Sequence, residues 1–271
     1  MKKIKINNFY ISNNHPFTLI AGPCVLENKK HTFMMIEKLQ NLTKKLKINF
    51  IFKTSFDKAN RTSIKSKRGV GIKHAIKIFE EIKLKYNCPI LTDIHNEIQS
   101  SMLSNVVDII QIPAFLCRQT DILTSAAKTN KIINIKKGQF LSPYEINEVI
   151  KKITEHGNNK ILLTERGYVF GYNNLVTDFR SIDIMKKTKF PVIFDATHSI
   201  QEPGIKGSST GGRREFIPTL AKAAVSSGIA GLFIETHNNP NIAPSDGSNM
   251  LPFKNLEKLL KILIQIDRVI K

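Results

Sequence analysis

The stretch Val192–Glu215, VIFDATHSIQEPGIKGSSTGGRRE, decides the fold class. It opens with an apolar, β-branched run, Val192–Phe194, which predicts a buried strand. Asp195, Thr197 and His198 follow directly, and a loop rich in glycine and serine then leads into a helical pattern. A buried strand with a polar end, a long loop and a helix make one unit of a parallel α/β fold. In such folds, chemistry collects at the carboxyl ends of the strands.

Seven further apolar runs show the same pattern. They are Phe17–Ala21, Asn49–Lys53, Pro89–Thr92, Val106–Ile112, Ile132–Ile135, Lys160–Thr164 and Gly231–Ile234. Eight such units predict an α/β protein with a single-domain (β/α)8 barrel over residues 1–271. The alternating segment Lys2–Ser12 predicts a short strand pair before the barrel. A doubly wound open sheet is the alternative, but no glycine-rich dinucleotide fingerprint follows the first strand.

The helix after the fifth strand has the clearest start and stop signals. Ser142 predicts its cap, Pro143 its first position, and Glu145 the second half of a capping box. Apolar residues at helical spacing follow, and Gly157 predicts its end.

The composition indicates a soluble protein of a reducing cytoplasm. Its three cysteines form no close pair, no apolar stretch is long enough to cross a bilayer, and the charged segment Met1–Tyr10 does not resemble a signal peptide. The net charge of +19 raises the question of nucleic-acid binding. However, most of the excess is lysine on predicted helix faces, and the interleaved aromatic residues of single-strand binders are missing. We therefore expect small anions as partners, with no specific nucleic acid and no membrane.

The predicted strand ends and the loops after them carry a group of cations. They are Lys53, Lys58, Arg61, Arg118, Lys136, Arg166 and Arg214, with too few nearby acids to neutralise them. Arginine gives bidentate hydrogen bonds and lysine a point charge, so such a barrel mouth suits phosphate and carboxylate. A single strand-end lysine is more often solvated or ion-paired than functional. A whole set at one mouth is much harder to explain in that way.

A second group mixes a thiol, an imidazole and carboxylates. Its members are Cys24, His198, Glu235 and Asp246. This set fits a borderline divalent ion of the Mn, Fe, Co or Zn type better than Mg²⁺. The spacing matches no compact ligand motif, so Cys24 could equally be a small buried residue and His198 a hydrogen-bonded loop histidine. Surface positions on helices are expected for His31, His74 and His156.

Longer motifs resemble the 3-deoxy-D-manno-octulosonate 8-phosphate synthases, also called 2-dehydro-3-deoxyphosphooctonate aldolases. They extend along nearly the whole chain: AGPC at 21–24, FKTSFDKANR at 52–61, QIPAFLCRQTD at 111–121, NIKKGQF at 134–140, TERG at 164–167, FDATHS at 194–199, GGRRE at 211–215 and ETH at 235–237. The resemblance implies a cytoplasmic (β/α)8 transferase of lipopolysaccharide biosynthesis, usually tetrameric. Such an enzyme joins phosphoenolpyruvate to arabinose 5-phosphate and releases phosphate.

The resemblance also implies roles for individual residues. The family has a metal-independent class with Asn at the position of Cys24 and a metal-dependent class with Cys, and this chain resembles the second. The implied metal ligands are Cys24, His198, Glu235 and Asp246. The implied catalytic residues are Lys58, Asp93, Lys136 and His198, and the implied substrate-binding residues are Lys53, Ser55, Asn60, Arg61, Ser63, Phe115, Arg118, Gln139 and Arg166. Arg118 is expected to act in its own site or across a subunit boundary.

The related heptulosonate synthases are the alternative within this resemblance. They use a four-carbon aldose phosphate and carry Lys-Pro-Arg-Thr where this chain has Lys-Ala-Asn-Arg at 58–61. That difference favours the five-carbon substrate.

Overall fold

The computed structural model describes residues 1–61, 63–205 and 211–271, so part of the loop in the opening stretch lies outside the described residues. Eight parallel strands form a closed barrel. They are β1 (Thr18–Gly22), β2 (Phe50–Lys53), β3 (Ile90–Asp93), β4 (Ile109–Ile112), β5 (Ile132–Lys136), β6 (Ile161–Glu165), β7 (Val192–Asp195) and β8 (Gly231–His237). Neighbours in this order pair with one another, and β8 pairs with both β7 and β1. The predicted (β/α)8 barrel is confirmed.

Eight α-helices surround the strands. They are α1 (Lys29–Leu46), α2 (Ile72–Tyr86), α3 (Glu97–Ser104), α4 (Thr120–Lys128), α5 (Ile146–Thr154), α6 (Arg180–Lys186), α7 (Ile217–Ser226) and α8 (Phe253–Ile270). Their apolar faces pack on the outside of the barrel and form one continuous core with the outward-facing strand residues. No helix in the described part of the chain is long and apolar enough to cross a membrane.

Helix α5 begins later than its capping signal predicts. The helix starts at Ile146, so Ser142 and Pro143 precede it. Glu145 does accept a hydrogen bond from the Ser142 backbone N–H at 3.0 Å, but the Ser142 hydroxyl accepts from the N–H of Tyr144 at 3.3 Å. A capping box needs the serine to accept from the residue three positions on. These bonds therefore stabilise a turn ahead of the helix.

Each barrel strand contributes to two apolar layers, because successive side chains point to opposite faces. In β1, Leu19 belongs to the outer layer and Ile20 to the layer inside the barrel. The predicted N-terminal strand pair is confirmed, and its strands, Ile4–Ile6 and Phe9–Ile11, are antiparallel. Its isoleucines pack on the inner layer, which includes Ile132 at the start of β5. The pair therefore closes the amino-terminal end of the barrel and leaves the carboxyl ends of the strands open.

Several strands extend further than their apolar runs. The run at Gly231–Ile234 predicts an end before Glu235, but β8 continues to His237. Likewise, β5 includes Lys136 and β6 includes Glu165. Because these polar residues belong to paired strands, their backbone positions are fixed by the barrel and not by mobile loops.

Candidate active site

A cavity of about 650 Å³ opens at the carboxyl ends of the strands. Among the residues that the sequence singled out, its walls include Lys53, Lys58, Asn60, Arg61, Asp93, Phe115, Lys136, Gln139, Arg166, His198 and Asp246. They come from loops and strand ends spread over nearly the whole chain. The barrel therefore brings most of the expected substrate residues to one place.

Three expected substrate residues lie outside the cavity lining. Ser55 is buried, and its hydroxyl accepts a hydrogen bond from Lys53 Nζ at 3.1 Å. Ser63 is half-buried, and its hydroxyl accepts from the N–H of Lys65 at 3.3 Å. Arg118 is exposed. Ser55 thus supports the lining from behind, whereas Ser63 and Arg118 lie at its margin or beyond it.

Three of the four expected metal ligands converge beside the cavity. Cys24, Glu235 and Asp246 each offer a ligand atom, and these atoms lie within 4.8 Å of one another. Cys24 Sγ donates to Asp246 Oδ2 at 3.1 Å and lies 3.0 Å from Ser245 Oγ. Glu235 Oε2 is buried and has no hydrogen-bond partner among the described residues.

His198 lies next to this cluster and is oriented by Asp195. The Nδ1 atom of His198 is 2.6 Å from Asp195 Oδ2, and its Nε2 atom is 3.7 Å from Glu235 Oε2. Burial tends to raise the pKa of Asp195, but its interactions with His198 and Lys136 hold that pKa well below its usual range. An ionised Asp195 accepts the proton on Nδ1 and leaves Nε2 as the free lone pair. Metal-binding histidines use this carboxylate–histidine arrangement.

The residues present fit a divalent ion. They combine a thiol, carboxylates and an imidazole, which is a donor set for a borderline metal. Burial, reinforced by the charge of Glu235, raises the pKa of Cys24 well above its ordinary value, so an ion must displace a proton from the thiol. Asp246 is held at φ 49°, in the left-handed region. Such backbone strain is typical of functional sites.

Some of the mouth cations have carboxylate partners. Lys53 Nζ lies 2.8 Å and Lys58 Nζ 3.8 Å from Glu235 Oε1, so one carboxylate serves two lysines. Lys136 pairs with Asp195, and burial lowers the pKa of Lys136 to about 8 against the raising effect of that carboxylate. The buried acids therefore hold the lysines in place, and the lysines keep these acids ionised.

Arg166 is buried, and one of its hydrogen-bond donors has no partner among the described residues. Its Nη2 donates to Gln201 Oε1 at 2.6 Å, whereas its Nη1 is buried and lacks a hydrogen-bond partner among the described residues. Both residues line the cavity. A buried guanidinium with an open donor position is suited to an anionic ligand.

Arg214 has a role that the sequence did not predict. It is outside the cavity lining and donates to the backbone oxygens of Gly247 at 2.6 Å and Ser248 at 3.3 Å. Arg61, which does line the cavity, donates to Pro244 O at 3.5 Å. The two arginines therefore brace the loop that carries Asp246.

Sequence reasoning missed a chain of polar residues inside the barrel. Thr164 Oγ1 donates to Asn134 Oδ1 at 2.6 Å, and Asn134 Nδ2 donates to Gln111 Oε1 at 2.9 Å. Gln111 lines the cavity, so this chain of hydrogen bonds leads from the barrel interior to the site. The signal was present, because a buried polar residue in an apolar strand needs a hydrogen-bond partner.

A second cluster of ligand atoms lies near the first and contains Glu27, His31 and His237. His31 is therefore not a surface residue, and only 11% of its side chain is exposed. His237 Nδ1 accepts from the N–H of Asn239 at 2.9 Å, so the neutral ring carries its proton on Nε2 and donates it to Glu27 at 2.7 Å. Burial lowers the pKa of His237 and favours this neutral ring. His237 thus lacks a lone pair for an ion, and the cysteine cluster is the better metal site.

Comparison with known proteins shows the family of the chain. The sequence profile of the DAHP synthetase I family matches residues 2–271. The chain belongs to the DAHP synthetase I family. Similar proteins named 2-dehydro-3-deoxyphosphooctonate aldolase occur in Brucella anthropi and Brucella ovis, each 54% identical over 268 residues, covering 99% of this chain and 97% of the relative. Another protein of that name, from Bartonella henselae, is 52% identical over 268 residues and covers 99% of this chain and 96% of the relative. These relatives confirm the resemblance found in the sequence.

Proposed function

We propose that this barrel, as one catalytic domain, condenses phosphoenolpyruvate with arabinose 5-phosphate and water to give 3-deoxy-D-manno-octulosonate 8-phosphate and phosphate. The observation that carries the proposal is a cation-lined cavity beside the cluster of buried Cys24, buried Glu235 and half-buried Asp246. The shared name of the relatives supports the eight-carbon product. Heptulosonate synthesis from a four-carbon aldose phosphate is the alternative.

Phosphoenolpyruvate is assigned to the wall formed by Lys58, Lys136 and Arg166. All three line the cavity, and Arg166 has an open buried donor. Lys53 and Gln139 complete this half of the site, with Ser55 holding Lys53 from behind. Cations already desolvated by the protein bind an anion without further reorganisation.

The aldose phosphate is assigned to the opposite half. Asp93 Oδ1 is buried without a hydrogen-bond partner among the described residues, and Asp93 Oδ2 lies 3.0 Å from His95 Nε2. Burial tends to raise the pKa of Asp93, but its contact with His95 and the charges of Lys58 and Lys53 hold that pKa below its usual range, so the free oxygen can accept a hydrogen bond from a sugar hydroxyl. Asn60 and Phe115 line the same cavity, and Arg61 with Ser63 is assigned to the sugar phosphate.

The reaction requires phosphoenolpyruvate and the aldose phosphate to be held with their reacting carbons close together. C3 of phosphoenolpyruvate attacks the aldehyde carbon, the aldehyde oxygen takes a proton, and positive charge develops at C2. Water adds at C2 and loses a proton, which leaves a hydroxyl and the phosphate ester on the same carbon. That hydroxyl then loses its proton and becomes the C2 carbonyl as the bond from C2 to the phosphate oxygen breaks, and the phosphate leaves with its bridging oxygen. Lys136 and Arg166 stabilise the departing phosphate, and holding both reactants near attack distance supplies much of the acceleration.

Cys24, His198, Glu235 and Asp246 would hold a divalent ion of the Mn, Fe, Co or Zn type, and such an ion would supply Lewis-acid charge to the reaction. His198 contributes Nε2 because Asp195 fixes its other nitrogen. Binding should weaken as pH falls, since the Cys24 thiol must lose its proton. Titration of the metal-free protein with Co²⁺ should produce a thiolate absorption band, and Cys24→Ser should lack it.

We also propose that the protein forms a homotetramer. Arg118 is exposed beyond the cavity lining, and Phe115 beside it is 54% exposed. This arrangement supports the expectation of a tetramer in which Arg118 acts across a subunit boundary. Light scattering coupled to gel filtration measures the assembly, and a monomer with full activity would contradict this part of the proposal.

A phosphate-release assay tests the function. Phosphate should appear only when phosphoenolpyruvate and arabinose 5-phosphate are both present, and chelation should stop the reaction until metal is returned. Equal or faster turnover with erythrose 4-phosphate would replace the octulosonate assignment with the heptulosonate one.

A further inference from the structure

A buried ion pair lies behind the substrate wall and has no assigned role. Lys137 follows β5 and Glu165 ends β6, both side chains are fully buried, and Lys137 Nζ is 3.6 Å from Glu165 Oε2. Neither residue lines the cavity. Burying two charges is costly, and an apolar pair of similar size is often as stable. The pair therefore invites an explanation other than stability.

Glu165 holds the backbone of its neighbour Arg166. Its Oε1 accepts from the N–H of Arg166 at 2.9 Å and from the N–H of Gly167 at 2.7 Å. Gly167 is at φ +89°, which side chains rarely adopt, so the chain turns sharply after Arg166. Ser181 Oγ donates to the other carboxylate oxygen at 2.9 Å from the side of helix α6. One carboxylate thus fixes the turn from which the Arg166 side chain enters the cavity.

Lys137 holds the neighbouring loop. Its ammonium donates to the backbone oxygens of Gly138 and Leu141, each at 3.2 Å, and lies 3.5 Å from the centre of the Tyr168 ring. The loop between these two oxygens carries Gln139, whose backbone oxygen accepts from the N–H of Val169 at 3.0 Å. The ion pair therefore ties the loop of Gln139 to the turn of Arg166.

We propose that Glu165 and Lys137 are positioning residues that set Arg166 and Gln139 for the enolpyruvyl phosphate half of the site. This inference rests on the proposed function, because it assigns that half to Arg166. It predicts that the pair controls binding of phosphoenolpyruvate more than binding of the aldose phosphate.

The test is Glu165→Gln, which keeps an oxygen for the two backbone N–H groups but turns an amide N–H₂ toward the Lys137 ammonium. We expect KM for phosphoenolpyruvate to rise about tenfold or more, with KM for arabinose 5-phosphate within about twofold of wild type. Ser181→Ala is the matched control, because it removes one bond to the same carboxylate but keeps the Lys137 ion pair and the bonds to the N–H groups of Arg166 and Gly167. It should leave both KM values unchanged. Glu165→Asp, one methylene shorter with the charge kept, replaces Glu165→Gln if that variant does not fold.

A double-mutant cycle separates positioning from stability. If Glu165 acts through Arg166, adding Glu165→Gln to Arg166→Ala should change KM for phosphoenolpyruvate by less than about twofold. Unchanged KM in folded Glu165→Gln, or fully additive effects in the cycle, would overturn the inference. Failure of the proposed function would look different, because the wild type itself would then release no phosphate from these two substrates.

Discussion

Replacement of Arg166 by alanine perturbs the proposed phosphoenolpyruvate site most directly. The Arg166 side chain is buried, and its Nη2 donates a hydrogen bond to Gln201. Its Nη1 has no hydrogen-bond partner among the described residues. An anion bound there would be desolvated together with the guanidinium. Losing one partner of such a pair costs about 2–5 kcal/mol. That loss corresponds to a fall of about thirtyfold to several thousandfold in kcat/KM for phosphoenolpyruvate.

Steady-state kinetics with each substrate varied in turn measures this effect. Arg268→Ala is the matched control, since Arg268 is exposed in the last turn of helix α8 and does not line the cavity, and this variant should keep wild-type kinetics. Circular dichroism and urea unfolding serve as the control for folding of the Arg166→Ala variant. Near-normal kcat/KM in folded Arg166→Ala would refute the placement of phosphoenolpyruvate on this wall.

Three other predictions concern charge, metal and stability. Lys136 has a pKa of about 8, so it is charged below that pH and neutral above it. The value of kcat/KM for phosphoenolpyruvate should therefore fall above pH 8, and a flat pH profile would contradict binding of phosphoenolpyruvate by charged Lys136. Cys24→Ala should lose both activity and bound metal, the latter measured by elemental analysis, whereas Cys24→Asn should retain some metal-free turnover. Full activity of the exhaustively chelated wild type would show that Cys24 is only a packing residue. Asn13→Ala should lower the free energy of unfolding by about 2–4 kcal/mol, because it leaves the buried Phe190 C=O and Val192 N–H without their hydrogen-bond partner. An unchanged midpoint of urea unfolding would contradict this prediction.

The barrel could be predicted from the sequence because its evidence is local. Apolar runs, polar ends and helical spacing each occupy a few neighbouring residues. Eight such units are the number of a closed (β/α)8 barrel, in which β8 pairs with β1. The strand-end cations and the cysteine cluster followed from the same pattern, since parallel strands bring their carboxyl ends to one mouth. Helix α5 began late because Ser142 and Glu145 stabilise a turn instead.

The partners of the site residues could not be predicted in this way. Lys53 and Glu235 are 182 positions apart, and the sequence does not show that one carboxylate also serves Lys58. His31 looked like a surface residue on helix α1, but the end of β8 packs His237 against it, with ring centres 4.5 Å apart. Such pairings depend on which loops meet after the barrel closes, and no local pattern encodes them.

The proposed reaction forms a carbon–carbon bond between phosphoenolpyruvate and arabinose 5-phosphate. Mass spectrometry of a reaction with phosphoenolpyruvate and uniformly ¹³C-labelled arabinose 5-phosphate tests it directly. The proposed function predicts an eight-carbon acid that carries one phosphate and all five labelled carbons, formed in step with released phosphate. Unlabelled pyruvate and phosphate, with every labelled carbon still in arabinose 5-phosphate, would contradict it.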